Sequence, residues 1–194
     1  MSVPELLLEL LAAPGPPGHE REPARVWREA AEAFADEVTT DRLGSTVARV
    51  DGRGERPLLA VVGHLDEIAL LVTHVSDTGY LHVVQSGGWD AQVLVGQRVE
   101  VHTRDGIRPG VVGRKPPHLT DQEERKKAVR LKDLHVDIGA NDGDEARSLV
   151  ANGDQVLIAA EPVELPNGRL VSRALDNRLG SYVALEVARR VKEA

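Results

Sequence analysis

The residues best suited to chemistry are a histidine and two acids in Gly63-His64-Leu65-Asp66-Glu67. His64 and Asp66 are two positions apart, so in an extended chain both side chains fall on the same side. One carboxylate can then orient the imidazole while the other ring nitrogen meets a metal ion. The preceding Leu58-Leu59-Ala60-Val61-Val62 is apolar without alternation. Such a run predicts a strand covered on both faces of an α/β sheet, and such sheets place their sites at the carboxyl ends of their strands. The same residues read equally as a histidine and two acids at a solvated strand end. A second candidate is Asp176 in Ala174-Leu175-Asp176-Asn177-Arg178-Leu179-Gly180. It reads as a carboxylate ligand able to bridge two ions, or as the N-cap of the last helix, a role Asp fills well.

The remaining histidines, His19, His74, His82, His102, His118 and His135, show no ligand spacing. His74, His82 and His102 fall in strand-like runs and read as structural. His118 follows the stiff Lys115-Pro116-Pro117 and is either functional or merely exposed. The chain contains no cysteine, which excludes a disulfide framework, a thiolate nucleophile and a Cys-held zinc or iron–sulfur group. Any metal is therefore held by His, Asp or Glu. Among 194 residues, 24 Lys+Arg against 31 Asp+Glu leave a net charge of −7. With no long basic run, that balance argues against nucleic acid or a membrane surface as partner. The Gly-rich pieces match neither a P-loop nor a dinucleotide fingerprint, and no Gly-x-Ser-x-Gly elbow occurs. Glu123-Glu124 lie in a charged stretch and offer no glycosidase acid/base pair. The first residues carry acids and no basic stretch, and no apolar run approaches the ~20 residues that span a bilayer. A cytoplasmic protein is expected.

These candidates need elements to position them. Ser2 and Glu5 have capping-box spacing ahead of a leucine-rich first helix, which Pro14-Gly15-Pro16-Pro17-Gly18 must end. Val26, Trp27, Ala30, Ala31 and Phe34 predict a second helix over 24–36. A strand over 46–50 and a Gly-rich hairpin lead to the 58–62 strand. From Ile68 to about Ala160, short β-rich runs alternate with Gly and Asp-Gly turns. They include 68–75, 80–84, 98–103, 134–138 and 155–159, and predict a small barrel or sandwich set into an α/β domain. The charged stretch 120–132 reads as a solvated helix or loop, and 142–150 as a short helix. A last helix over 181–193 has Val183, Val187, Ala188 and Val191 on one face, with little left in the chain to cover it.

Six motifs in order resemble the M42 metallopeptidases, aminopeptidases that include the tetrahedral enzymes and some members labelled endoglucanase. They are Gly63–Ile68, Gly87-Gly88-Trp89, Val95–Val99, Gly110–Leu119, Asp133–Ala140 and Ala174–Arg178. The resemblance covers essentially the whole chain. It implies half of a zinc-peptidase-type α/β catalytic domain, in segments 1–69 and 162–194, interrupted by a small β-barrel-like dimerisation insert over 70–161. It implies that His64 is a ligand of one metal ion, that Asp66 is the catalytic-site acid orienting it, and that Asp176 bridges a pair of zinc or cobalt ions. It also implies peptide substrates cleaved at the N-terminus, and homo-oligomers in which dimers assemble further. Members of the family continue with a second half that supplies a Glu-Glu pair, a further Asp and a late His. No match to these follows Asp176, so the chain alone is expected to be inactive. The alternatives are a non-catalytic assembly or interaction module, or one chain of a split peptidase. The preferred N-terminal residue, zinc against cobalt, and the subunit number stay open.

Overall fold

A computed structural model describes residues 3–54, 58–116, 118 and 127–194. In chain order it opens with α1 (Glu5–Ala12), α2 (Arg21–Glu32), β1 (Glu37–Thr40) and β2 (Thr46–Arg49). Then come β3 (Ala69–Val75), β4 (Leu81–Ser86), α3 (Ala91–Leu94), β5 (Arg98–Thr103), β6 (Gly106–Arg114), β7 (Leu134–Asp137), α4 (Gly143–Leu149) and β8 (Gln155–Ile158). The chain closes with β9 (Val163–Leu165), β10 (Arg169–Val171) and α5 (Leu175–Glu193). Contacts divide these elements into two units, Met1–Glu67 with Glu161–Ala194, and Ile68–Ala160.

Ile68–Ala160 is a closed barrel in the order β3-β4-β7-β6-β5-β8, with β8 returning to β3. All its pairings are antiparallel. Alternation along the strands sends Leu70, Val72, Leu81, Val83, Val99, Val101, Val112, Leu134, Val136 and Val156 into one core, as the two-residue period of a strand requires. Each fully buried leucine or valine there contributes about 1.5–3 kcal/mol. Closure leaves no unpaired edge. The turn Asp142–Gly143 starts α4 as the spacing predicts: Asp142 accepts from the Glu145 N–H at 2.9 Å, satisfying a donor that the first helical turn leaves over. The chain is thus a mixed α/β protein containing a six-stranded barrel.

In the other unit, Leu7 and Leu11 of α1 pack with Ala174, and Val3, Leu170, Leu175 and Tyr182 close around them. Two antiparallel ribbons, β1-β2 and β9-β10, complete it. Here the structure departs from several expectations. Pro4, not Ser2, precedes α1 as its N-cap; Ser2 lies outside the described residues. α2 begins at Arg21, a turn earlier than the apolar spacing suggests. Residues 58–62 are not a covered strand. They have no ladder partner among the described residues, and Leu58, Leu59 and Val62 are 92%, 75% and 83% exposed. An apolar run specifies burial only where another element offers a face to cover it. α5 extends back to Leu175, and its buried positions are Arg178, Ser181, Ala184 and Leu185; Val183 and Val191 are exposed, in keeping with a face that little is left to cover. Most of the charged stretch 120–132 lies outside the described residues, its last part forming a 3-10 turn at Leu131–Asp133. Among the described residues, no helix is long and apolar enough to cross a membrane.

Candidate metal half-site

All three sequence-derived candidates meet in the helical unit. His64 and Asp66 lie on the extended segment that follows Val62, and Asp176 lies at the start of α5. Asp176 and Asn177 have non-helical backbone angles (φ −92°, ψ 105° and φ −125°, ψ 34°) inside that first turn. The turn therefore presents the Asp176 carboxylate outward rather than back onto helix N–H groups. Ala174 is the N-cap residue and Asp176 makes no cap. His64 Nδ1 is 2.8 Å from Asp66 Oδ1, and His64 Nε2 is 3.2 Å from Asp176 Oδ1. The side chains of His64, Asp66 and Asp176 are 53%, 41% and 95% exposed, so the group opens to solvent.

This geometry has a chemical consequence. With Nδ1–H donating to Asp66, the Nε2 lone pair points at a carboxylate oxygen, and only a proton or a cation between them satisfies both. Two ligands at about 2.0–2.1 Å from one tetrahedral zinc stand roughly 3.3 Å apart, close to the separation found. His64 and Asp176 therefore fit two positions around a single ion. They do not complete a centre: among the described residues, no group of three His, Asp or Glu side chains could hold a metal, whereas catalytic zinc usually takes three protein ligands. His118 is exposed, and His74, His82 and His102 lie on β3, β4 and β5.

Beneath the open group lies a buried ionic cluster that sequence reading misses. Glu67 is 3% exposed and Arg178 is fully buried. Glu67 Oε1 accepts from Arg178 Nη2 and from the Gly15 N–H, each at 3.0 Å, and Oε2 accepts from Arg173 Nη1. Arg178 Nε donates to the Leu65 carbonyl at 2.9 Å, and Nη1 donates to the Leu10 carbonyl at 2.7 Å and to Ala13. Arg173 Nη2 donates to Ala12 at 3.0 Å. Two guanidinium groups thus serve the Leu10, Ala12 and Ala13 carbonyls at the C-terminal end of α1, where cations are also favoured by the helix dipole. Burial pulls the Arg178 guanidinium down from its ordinary value and the nearby Arg173 adds to this, while Glu67 opposes it. The Ser181 hydroxyl donates to the His64 carbonyl at 3.0 Å, and Trp27 Nε1–H donates to the Ser181 carbonyl at 2.9 Å.

Two glycines are required by these approaches. A Cβ on Gly15 would lie 2.6 Å from Arg178 Nη2, and one on Gly63 would lie 2.5 Å from the Ser181 backbone nitrogen. The sequence signal for the cluster was only partial: Glu67 and Arg178 close the two motifs that carry the candidate ligands, but a lone Arg near a helix start reads as a solvated charge.

Comparison with known proteins places this architecture. The profile of the family described as M42 glutamyl aminopeptidase matches residues 44–194. The lysyl aminopeptidase of Pyrococcus furiosus is 32% identical over 192 residues, which cover 97% of this chain and 55% of that protein. The TET aminopeptidase from the marine sediment archaeon Thaumarchaeota archaeon SCGC AB-539-E09 superposes with a TM-score of 0.91 at 40% identity, over 97% of this chain and 54% of that one. The Pyrococcus horikoshii TET1 peptidase, which can assemble into a tetrahedron or a large octahedral shell, gives a TM-score of 0.81 at 32% identity, over 98% of this chain and 56% of that one. The chain spans about half the length of the relatives it matches. It belongs to the M42 glutamyl aminopeptidase family.

Proposed function

We propose that this chain is the N-terminal portion of a metal-dependent aminopeptidase that removes N-terminal residues from peptides. The observation that carries the reading is His64 Nε2 facing Asp176 Oδ1 at 3.2 Å with Nδ1 held by Asp66, in a chain whose relatives are aminopeptidases. In this reading His64 and Asp176 are ligands, Asp66 fixes the ring of His64, and the remaining ligands and the general base come from residues outside these 194. A bound pair of zinc or cobalt ions supplies Lewis-acid charge for the peptide carbonyl. His and carboxylate ligands suit either metal. By itself the chain is inactive, because two donors hold an ion weakly. The Ile68–Ala160 barrel serves as the dimerisation insert, through which dimers build larger homo-oligomers.

The test is hydrolysis of amino-acid arylamides by the complete gene product with Zn²⁺ or Co²⁺. Activity that His64→Ala and Asp176→Ala each abolish is expected. A complete product that stays inactive with both metals would overturn the reading. The exposed Leu58, Leu59 and Val62 favour a second reading, in which this surface docks another chain, either as an assembly module or as one part of a split peptidase. Activity that appears only when two separate chains are mixed would identify the split enzyme.

A further inference from the structure

Arg178 is two residues beyond Asp176, and its guanidinium reaches the carbonyl of Leu65, the residue between His64 and Asp66. Its other nitrogens reach Glu67, the next acid along, and the end of α1. One side chain thus fastens both segments that carry the candidate ligands, from below and without touching them. We propose that Arg178, held by Glu67, is a positioning residue that sets the spacing of His64 and Asp176. The proposal rests on the reading of those two residues as ligands, and it assigns Arg178 more than the capping of α1.

Three features support it. The contacts tie α5 to two segments far apart in sequence, Leu10–Ala13 and Leu65–Glu67, and only a planar fork serves acceptors in so many directions; a lysine ammonium offers no such fork. Glu67 is fully committed, since both its oxygens are occupied by Gly15, Arg173 and Arg178. The fastening continues one turn along α5, where Ser181 holds the His64 carbonyl. A structural cap would need only the α1 carbonyls, whereas Arg178 also engages Leu65.

The test uses the 194-residue chain without added metal, labelled for NMR. Arg178→Lys and Glu67→Gln are compared with Leu185→Ala, a substitution of a buried apolar residue of the same helix that removes stability and deletes no hydrogen bond of the ionic cluster. In the parent, the His64 ring nitrogens are expected to give one set of resonances. Arg178→Lys is expected to displace or split them, together with the Leu65 and Asp66 amides, while Leu185→Ala leaves them in place. Glu67→Gln, which keeps the shape of the side chain, should do the same if Arg178→Lys fails to fold. In a parallel Co²⁺ titration the two positioning variants are expected to lose about 10–100-fold in affinity, the usual effect of groups that orient ligands. His64 resonances that move no more in both positioning variants than in Leu185→Ala would overturn the proposal. Equal Co²⁺ binding by the parent and His64→Ala would instead sink the ligand reading, and the ring resonances would still decide the role of Arg178.

Discussion

In the Ile68–Ala160 barrel every strand has two neighbours, and the inward side chains are aliphatic. In the other unit the largest fully buried side chain is an arginine, while Leu58, Leu59 and Val62 face solvent. The first region satisfies its own backbone and its own core. The second spends its interior on a charged cluster that gathers the end of α1, the His64 segment and the start of α5. Charges removed from water need several well-directed partners, and Glu67 and Arg178 have them. The difference teaches that the barrel is organised to be closed and the other unit to hold polar groups in fixed places near an open surface. Each region contains one tryptophan, Trp89 bonded to the Ala69 carbonyl and Trp27 bonded to the Ser181 carbonyl, so Trp27→Phe and Trp89→Phe backgrounds allow each to be followed separately.

The largest effect is expected at the ionic cluster. Glu67→Ala leaves the buried Arg178 and the part-buried Arg173 guanidinium groups without their anion and should cost about 3–5 kcal/mol, read as an early urea transition of Trp27 fluorescence with Trp89 unmoved. Leu81→Ala, at a fully buried barrel position, should cost about 2–5 kcal/mol and move Trp89 instead. Equal movement of both probes in either variant would break the comparison.

Much of this was legible beforehand. The two-residue spacing of His64 and Asp66 anticipates the shared side chain direction, and the Gly-punctuated β-rich runs anticipate the barrel, because strand period and turn chemistry are local. Asp142 announces α4 for the same reason. The exposure of 58–62 was not legible, because hydrophobicity does not say which surface will cover it. Nor was the pairing of Glu67 with Arg178, residues separated by 111 positions, since an ion pair at that range depends on how the chain returns. The exposure of Val183 and Val191 on the apolar face of α5 was legible, because little in the chain is left to cover that face, whereas the inward turn of Arg178 and Ser181 toward the His64 segment was not.

Smaller effects sharpen the contrast. Burial holds the His135 imidazole of β7 below its ordinary value of 6.5; Asp137 partly opposes this and His82 adds to it. The folded barrel then takes up this proton less readily than the unfolded chain, so its contribution is intact above that value and is lost as pH falls through it. Trp89 unfolding at about pH 5.5 should therefore come earlier than at about pH 7.5, and His135→Gln should narrow the gap. The smallest change is expected for Leu59→Ser, within about 0.5 kcal/mol in this chain, because the side chain is already 75% exposed. In a longer polypeptide that covers the run, the same substitution should cost measurably more.

The most direct measurement is a Co²⁺ titration of the 194-residue chain beside its His64→Ala and Asp176→Ala variants, followed by calorimetry. Weak binding by the parent that both substitutions abolish is the result predicted for half of a metal centre. Binding that is equally strong in all three proteins would contradict it.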